Sequence, residues 1–469
     1  MAEEDIIRAK KDRLNWFKEK GIEPYPAKSP KGEDISKIIE KFQKQGEFET
    51  SVTGRIVALR RMGKASFGVV FSNFKKIQFY IKRDDSPENY DIFKHLDIGD
   101  FVFIKGKVFR TKTGEITVHT YKLKLLAKSI RVLPEKWHGL RDEETILRKR
   151  YLDILTNENS RKTFILRSKM ITEIRKFLNE RGFFEVETPI LQNIPGGAEA
   201  EPFVTHHNAL DMDLYLRIAP ELYLKRLIVG GFEKVYEIGK NFRNEGISTK
   251  HNPEFTMLEL YMAWADFEDV MDLCEELIKS VAEKLNVSTI DVKKPFKRVS
   301  ILQTLKEKTG FDFSDGVDLE KLKQTAELLG VQLDDEKTPS KIFENVYEQS
   351  ILSKIDEPVF LVDFPEEFSP LAKTYPNKKV AQRFELYIKK MEIANAYSEL
   401  NEPEKQSAHF QTQVRKNPQK KVDKDFIEAL EYGMPPTGGL GIGLDRLLMV
   451  LLDLDSIKDV IIFPHLKPR

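Results

Sequence analysis

NFRNEGISTKHNPEFTMLEL occupies residues 241–260 and sets a carboxylate, Glu259, between Leu258 and Leu260. A carboxylate in an apolar run is costly unless it is paired or meets a cation. A strand alternates its faces with period two. In EKVYEIGKNFRNE (233–245) the odd positions are Glu237, Gly239, Asn241, Arg243 and Glu245, and the even ones include Tyr236, Ile238 and Phe242. In EFTMLELYMAW (254–264) Phe255, Glu259 and Tyr261 are odd, with Leu258, Leu260 and Met262 opposite. Joined by the polar loop GISTKHNP, the two runs read as an antiparallel hairpin. One face is covered by helices; the other carries Arg, Glu, Asn and Tyr toward an open pocket where Glu259 meets a cation. A surface hairpin with incidental charges does not explain why Glu259 and Tyr261 interrupt a hydrophobic strand.

The chain around this hairpin has 469 residues, 41% hydrophobic and 32% charged. That length suggests two to four domains and a core that needs no staples. Lys plus Arg number 76 against 75 Asp plus Glu, which excludes a globally basic nucleic-acid coat but not a local basic face. Cys274 is the single cysteine, so no internal disulfide forms, and no Cys/His cluster has zinc spacing. The start, MAEEDIIRAKKDR, lacks an apolar signal core. Apolar runs such as VIIF (460–463) are too short for a bilayer. The expectation is a cytoplasmic protein with no membrane partner.

Residues 1–20 read as a helix with a narrow stripe of Ile6, Ile7, Lys10, Leu14 and Phe17. A Pro-rich connector and a second short helix follow. Between 50 and 130, SVTGRIVALRR, ASFGVVFS, IQFYIKR, DFVFIKGKVFR and GEITVHTYKLKLLA are five short strands separated by turn signals. They suggest a small Greek-key barrel of the OB type. It is basic and carries Phe67, Phe79 and Tyr80, which suit unpaired bases or simply fill a core. Further on, LRSKMITEIRKFLNERG (166–182) is an amphipathic helix. FFEVETPIL reads as a strand whose Pro189 favours an edge or interface. The fold class is α+β: a barrel, then a central antiparallel sheet flanked by helices.

The hairpin "FRNE…HNPEF…LE" resembles the second signature motif of the class II aminoacyl-tRNA synthetases. FLNERGFFEVETPIL (177–191) resembles the first, a dimer interface, and GGLGIGLDRLLMVL (438–451) the third. A glycine-rich turn into a helix is a weak signal alone; three motifs in order are a strong one. Across almost the whole chain, segments such as KWHGLRDEETILRKRYLDIL, IPGGAEAEPFVTHHNALDMDLYLRIAPELYLKRL and EIANAYSELNEP resemble the lysyl-tRNA synthetases. The resemblance implies a helical extension at 1–48, an OB-fold anticodon-binding domain at 49–135 and a helical linker at 136–160. A class II catalytic domain at 161–469 would follow, with a helical insertion at about 281–350.

The chemistry of lysine points the same way. An ammonium needs carboxylates and an aromatic wall, and Glu221, Glu259, Tyr261, Tyr397 and Glu399 supply them. An aspartate-specific relative needs a cation there, and none is apparent on these strands. The resemblance implies Glu399 and Tyr261 at the ε-amino group, and Glu221 and Gly197 at the α-amino group. Arg243 and Asn395 would take the carboxylate, with Gly443 nearby. It implies Arg243, Glu245, His251, Asn252, Phe255, Glu385 and Arg446 for ATP, with Arg243 and Arg446 catalytic and Phe255 stacked on adenine. Glu385 and Glu392 would hold Mg2+. Asn395, Tyr397 and Glu399 share a parity that Glu392 lacks, so the reading requires a bulge near 390–393. Ala394 and Ala396, where the bacterial pattern has glycines, are expected to narrow the pocket slightly. In the barrel, Phe67 would stack on an anticodon base, with Gln78 and Glu115 at base edges. The implied partners are lysine tRNA, L-lysine, ATP and a second copy joined through 177–191. Three rivals compete: an aspartyl or asparaginyl relative, a protein-lysylating paralogue without a barrel, and a tRNA-binding regulator with a dead site.

Overall fold

Alternating apolar residues close the N-terminal strands into a barrel. In the computed structural model, which describes residues 3–134, 142–333, 338–416 and 421–467, five strands run as β1 (Phe48–Met62), β2 (Ala65–Ser72), β3 (Lys75–Lys82), β4 (Phe101–Arg110) and β5 (Ile116–Ala127). Their order is β1-β2-β3-β5-β4, closed, with β3 parallel to β5. Val52, Ile56, Val70, Phe79, Ile104 and Val118 fill the interior. Phe79 is therefore core. Two helices precede the barrel, α1 (Glu3–Glu19) and α2 (Ile35–Gln45), and a third, α3 (Pro87–Lys94), lies between β3 and β4. The α2 N-cap is Asp34, whose carboxylate accepts from the Ser36 and Lys37 amides. Ile35, Ile38 and Phe42 of α2 and Phe17 of α1 pack into the barrel core, as do Tyr90 and Phe93 of α3. The first 48 residues thus share the barrel's core. Helix α3 has no local signal beyond its Pro87 start.

The chain divides into two units, 1–141 and 142–469. The expected linker at 136–160 falls partly on 136–141, outside the described residues. Its remainder forms α4 (Glu143–Arg148), α5 (Arg150–Thr156) and the start of α6 (Glu158–Asn179). Arg150 is buried there and donates to Asp153 at 3.0 Å and to the Lys458 carbonyl at 2.7 Å, which fixes this segment to the second unit.

After α6 come two very short strands, β6 (Phe184–Glu185) and β7 (Leu191–Gln192), in place of one continuous strand over 183–191. Then β8 (Val204–His207) and β9 (Met212–Leu216) form a small sheet with β7. Helix α7 (Glu221–Val229) leads into β10 (Lys234–Phe242), the polar loop and β11 (Glu254–Ala263), followed by α8 (Phe267–Leu285) and β12 (Lys297–Ser300). Three helices, α9 (Ile301–Thr309), α10 (Leu319–Leu328) and α11 (Pro339–Ser350), precede β13 (Val359–Pro365), β14 (Val380–Ile388) and β15 (Met391–Ser398). The chain ends through α12 (Pro403–Lys416), α13 (Lys424–Glu431), β16 (Thr437–Gly443), α14 (Leu444–Leu452) and α15 (Ile457–Val460).

Eight strands make the main sheet in the order β12-β13-β14-β15-β16-β11-β10-β6, antiparallel except at its two edge pairs. The even residues of the hairpin behave as parity demands. Tyr236, Leu258 and Leu260 join Phe384, Leu386, Ala394, Ala396, Leu440 and Ile442 under α6, α8 and α14. Burying that many large apolar side chains, at roughly 1.5–3 kcal/mol each, holds the sheet to its helices. Ala394 and Ala396 therefore turn their methyl groups to the helix side, away from the pocket they were expected to narrow. Helices α9 to α11 build a separate core with Val359, Leu361 and Tyr387 at the far edge of the sheet. Residue 281, where the insertion was expected to open, lies inside α8. Among the described residues no helix is long and apolar enough to cross a membrane.

Candidate active site

The uncovered face of the sheet carries two transverse rows of side chains. One runs Glu237, Glu259, Gly441, Asn395, Glu385 across five neighbouring strands. The next runs Tyr261, Gly439, Tyr397, Arg383. The glycines of β16 lie in the middle, so the rows from either side face each other over an open floor. At Gly439 the openness is obligatory. A Cβ there would fall 1.9 Å from Glu399 Oε1 and 2.6 Å from the Tyr261 ring. Register between β14 and β15 skips one residue, with Leu386 opposite Ala394 and Tyr387 opposite Glu392. Ile393 is the bulge that parity required, and it restores Glu392 to the face of Asn395.

Above this floor is a cavity of about 740 Å³. The structure gathers around it Gly197, Glu221, Arg243, Glu245, His251, Asn252, Phe255, Glu259, Tyr261, Glu392, Asn395, Tyr397, Glu399, Gly443 and Arg446. Glu385 does not line it. It lies beneath, where Arg383 donates to it and the hydroxyls of Tyr387 and Tyr347 donate at 2.9 and 3.3 Å.

The acidic end is dry. Glu221, Glu259 and Glu399 are 5%, 5% and 1% exposed, and Tyr261 is 4% exposed. Burial, reinforced by the charge of Glu221, pushes Glu259 up to about 8. Burial also pushes Glu399 up to about 8, against the pull of Lys225. Glu221 opens α7, and Gly197 (φ +82°) packs its backbone against it; a Cβ on Gly197 would come 2.9 Å from that of Glu221. Phenol ionisation is suppressed in the wall: burial holds Tyr397 up at about 12 and Tyr261 well above its usual range.

The basic end is formed by the hairpin loop and α14. Arg446 donates to Glu392 Oε2 at 3.3 Å, to the Lys250 carbonyl at 3.3 Å and to His251 Nε2 at 2.9 Å. Burial and the Arg446 charge hold His251 below the usual imidazole value, which suits an accepting ring nitrogen. Asp445 ties α14 to the hairpin by accepting from the Thr256 amide at 2.7 Å. The Arg243 guanidinium lies 5.2 Å from the Phe255 ring centre, and its buried Nε has no hydrogen-bond partner among the described residues. Asn252 donates to the Glu254 carbonyl at 2.6 Å, which fixes the loop. Glu245 is exposed at the rim.

Sequence reasoning missed the cations behind the rows. Arg383, on β14, lines the cavity, contrary to the expectation that these strands carry none; Glu385 neutralises it. Lys225 is fully buried beside Glu221 and Glu399. Arg217 is buried and donates to Glu237 at 2.5 Å, to Thr188 Oγ1 at 3.2 Å and to the Lys240 carbonyl at 2.9 Å. Arg217 meets Glu237 twenty residues on, whereas Arg383 sits two residues from Glu385 and Lys225 four from Glu221. That spacing was the available signal for Arg383–Glu385 and Glu221–Lys225.

Among the described residues, no three His, Cys, Asp or Glu gather for a metal. Burial pushes the Glu385 carboxyl up, and the charge of Glu392 adds to the push, against Arg383. Two neighbouring carboxylates with oxygen donors only are the set that Mg2+ accepts when phosphate oxygens complete its shell, so the residues fit that ion.

On the barrel, Phe67, Tyr80 and His119 form an outward aromatic chain, with ring centres 5.0 and 5.2 Å apart. Gln78 donates to Thr117 Oγ1 at 2.9 Å on the same face. Glu115 is exposed in the turn before β5.

The family model of tRNA synthetases class II (D, K and N) matches residues 142–467, and that of the OB-fold nucleic acid binding domain matches 50–133. The chain is 49% identical to a lysine–tRNA ligase of Pelotomaculum thermopropionicum, over 99% of this chain and 95% of that protein. It is 48% identical to one from Carboxydothermus hydrogenoformans (99% and 98%), and 44% identical to one from Bacillus subtilis (99% and 98%).

Proposed function

The chain belongs to the class II tRNA synthetases (D, K and N), and from that premise we propose that it is a lysine–tRNA ligase. It activates L-lysine with ATP and transfers it to the terminal adenosine of lysine tRNA. One observation carries the choice of amino acid: three buried carboxylates, Glu221, Glu259 and Glu399, converge beside Tyr261 and Tyr397 with a single buried ammonium among them. Such a site is short of positive charge, and a diamino acid brings it. The nearest rival, an aspartate site, needs a free cation, and Arg383 is already neutralised by Glu385.

In this reading Glu399 and Tyr261 receive the ε-ammonium, with Tyr397 and Glu259 closing the wall. Glu221 and the Gly197 backbone receive the α-ammonium. Arg243 and Asn395 hold the carboxylate, with the Gly443 backbone beside them. Arg243 also reaches the α-phosphate of ATP, its planar fork suited to two oxygens at once. Phe255 stacks on the adenine, and His251, Asn252 and Glu245 shape the loop around the nucleotide. Arg446 reaches the γ-phosphate. Glu385 and Glu392 would hold Mg2+, which supplies charge neutralisation to the phosphates when bound.

No protein nucleophile is required. The lysine carboxylate attacks the α-phosphate in line, giving lysyl-adenylate and pyrophosphate. The site contributes alignment and fixed positive charge where phosphate charge develops. A ribose hydroxyl of the tRNA then attacks the activated carbonyl. The barrel reads the anticodon through the Phe67–Tyr80 platform, with Gln78 and Glu115 at base edges. Residues 177–191 carry the contact between two copies. The exposure of Phe184 (61%), Ile190 (44%), Leu191 (46%) and Phe232 (41%) supports this. The setting is the cytoplasm.

ATP–pyrophosphate exchange with lysine, ornithine, aspartate and asparagine, with and without Mg2+, tests the assignment. Magnesium-dependent exchange with lysine alone is expected. Exchange with aspartate, or none with lysine, overturns it.

A further inference from the structure

Lys225 is given no substrate contact in the reading above, yet it pairs with two carboxylates of the acidic end. Its side chain is fully buried. Its ammonium lies 2.5 Å from Glu221 Oε1, one turn back on α7, and 2.5 Å from Glu399 Oε2, just beyond β15. It also lies 5.9 Å from the centre of the Tyr261 ring. One side chain therefore touches both the carboxylate assigned to the α-ammonium and the one assigned to the ε-ammonium, and the aromatic wall between them.

We infer that Lys225 is a specificity-determining positioning residue, the permanent countercharge that lets Glu221 and Glu399 face one dry pocket as carboxylates and so accept a substrate with two ammonium groups. The inference rests on the lysine reading. Charge counting supports it. Glu221, Glu259 and Glu399 bring three negative charges, and Lys225 and Arg243 two positive. Lysine, with two ammonium groups and one carboxylate, brings the missing one. Without Lys225 the bound site would hold an excess negative charge in a medium that tolerates none. The pocket would then take up a proton on a carboxylate that the substrate needs ionised.

The groups facing Lys225 bear this out. From α7 there is Glu221, from β11 Tyr261, and from the end of β15 Glu399; Glu259 lies beyond, against Glu221, and Tyr397 against Glu221 and Glu399. Arg217, Glu237 and Arg243 stand behind Glu259, and Arg383 behind Tyr397. Asp423, at the start of the adjoining α13, is turned to Arg226. Lys225 is held above the usual lysine range by Glu221 and Glu399 although burial pulls it down, so it keeps its charge throughout the working pH range. Glu399 stays at about 8 in its presence.

The test is the pH profile of kcat/KM for lysine in ATP–pyrophosphate exchange, compared for the wild type, Lys225→Met and Lys225→Arg. The acid limb reports carboxylates of the free enzyme that must ionise. Removing the countercharge raises their pKa values, so Lys225→Met should move the acid limb up by about one pH unit or more. Activity lost at neutral pH should return partly in alkali. Lys225→Arg keeps the charge and should keep the limb within about 0.3 pH unit of the wild type, whatever its added bulk does to KM. A loss in Lys225→Met that is equal at every pH marks a purely structural role and overturns the inference. Should Lys225→Met not fold, Lys225→Arg decides alone: a limb displaced by about a full unit in that variant also overturns it. Absence of lysine exchange in the wild type is a different failure, which removes the lysine reading and this inference with it.

Discussion

Two buried ammonium groups, one in each unit, are built in opposite ways. In the barrel unit Lys128 is fully buried, 2.5 Å from Asp97 and 2.7 Å from Asp100. That cluster is closed. Asp100 accepts from the Ser129 and Asp97 amides, both at 2.7 Å, Arg13 pairs with Asp97, and the buried Lys10 lies near both aspartates, so two carboxylates meet three cations. In the second unit Lys225 faces Glu221 and Glu399 with Glu259 close by. Glu399 turns Oε2 to Lys225 while its Oε1 has no hydrogen-bond partner among the described residues, and Glu259 stands without an ion-pair partner among them. The first cluster is complete and structural. The second is one cation short, and it is open to a cavity. A buried network left unfinished is costly, and the incompleteness, more than the burial, marks the functional site.

The sharpest break in that comparison is at Arg243, whose buried Nε also lacks a hydrogen-bond partner among the described residues. Arg243→Ala should lower lysine-dependent ATP–pyrophosphate exchange by about a thousandfold, while gel-shift affinity for lysine tRNA stays near the wild-type value. Loss of tRNA affinity with exchange preserved would reverse its role. Next, Lys128→Met leaves two aspartates facing each other in the barrel. Chemical denaturation should register a loss of about 3–5 kcal/mol in that unit, with exchange unchanged below the transition. Glu259→Gln removes a charge from the open cluster instead. It should raise KM for lysine by about ten- to a hundredfold with little change in unfolding free energy, since a raised carboxyl gives up little when neutralised. A large stability loss in Glu259→Gln with KM intact would erase the distinction between the clusters.

A smaller effect follows from pH. The folded value of Glu259, about 8, lies above the ordinary carboxylate value of 4.5, so the folded chain holds a proton that the unfolded chain releases. Stability of the ligand-free protein therefore falls as pH rises from about 4.5 to 8. Thermal scans across that window should show the decline, and Glu259→Gln should reduce it to the share that Glu399 carries. Smallest, Phe67→Ala should weaken tRNA binding by about 1–3 kcal/mol without altering the salt slope, because the ring carries no charge.

Much of this was legible in the sequence because strand parity is unforgiving. Glu259 and Tyr261 on one face and Leu258 and Leu260 on the other left a single arrangement for the hairpin, and the even parity of Glu392, against the odd Asn395, Tyr397 and Glu399, foretold the bulge at Ile393. Where parity was not applied, the reading went astray. Ala394 and Ala396 have the parity of the helix side, so their methyl groups go to the core, and Arg383 has that of the site. Lys225 was harder. A lysine in an amphipathic helix normally points to water, and its burial here needs the distant Glu399, brought in by the sheet, beside the local Glu221. Phe79 and Tyr80 are neighbours of similar chemistry, and barrel closure alone sends one to the core and the other to the surface. Helix α3 is short and anchored by tertiary contacts of Tyr90 and Phe93, which local pattern does not reveal.

The most direct test of the unfinished network is calorimetry of lysine binding at pH 7 in buffers of different ionisation heat, with norleucine as the control that lacks the ε-ammonium. With Glu259 and Glu399 at about 8 in the empty site, docking an ammonium must drive a proton out. Lysine binding with net proton release, and no binding of norleucine, is the predicted result. Norleucine binding as tightly as lysine, or lysine binding without proton release, would contradict the claim that the pocket lacks a cation.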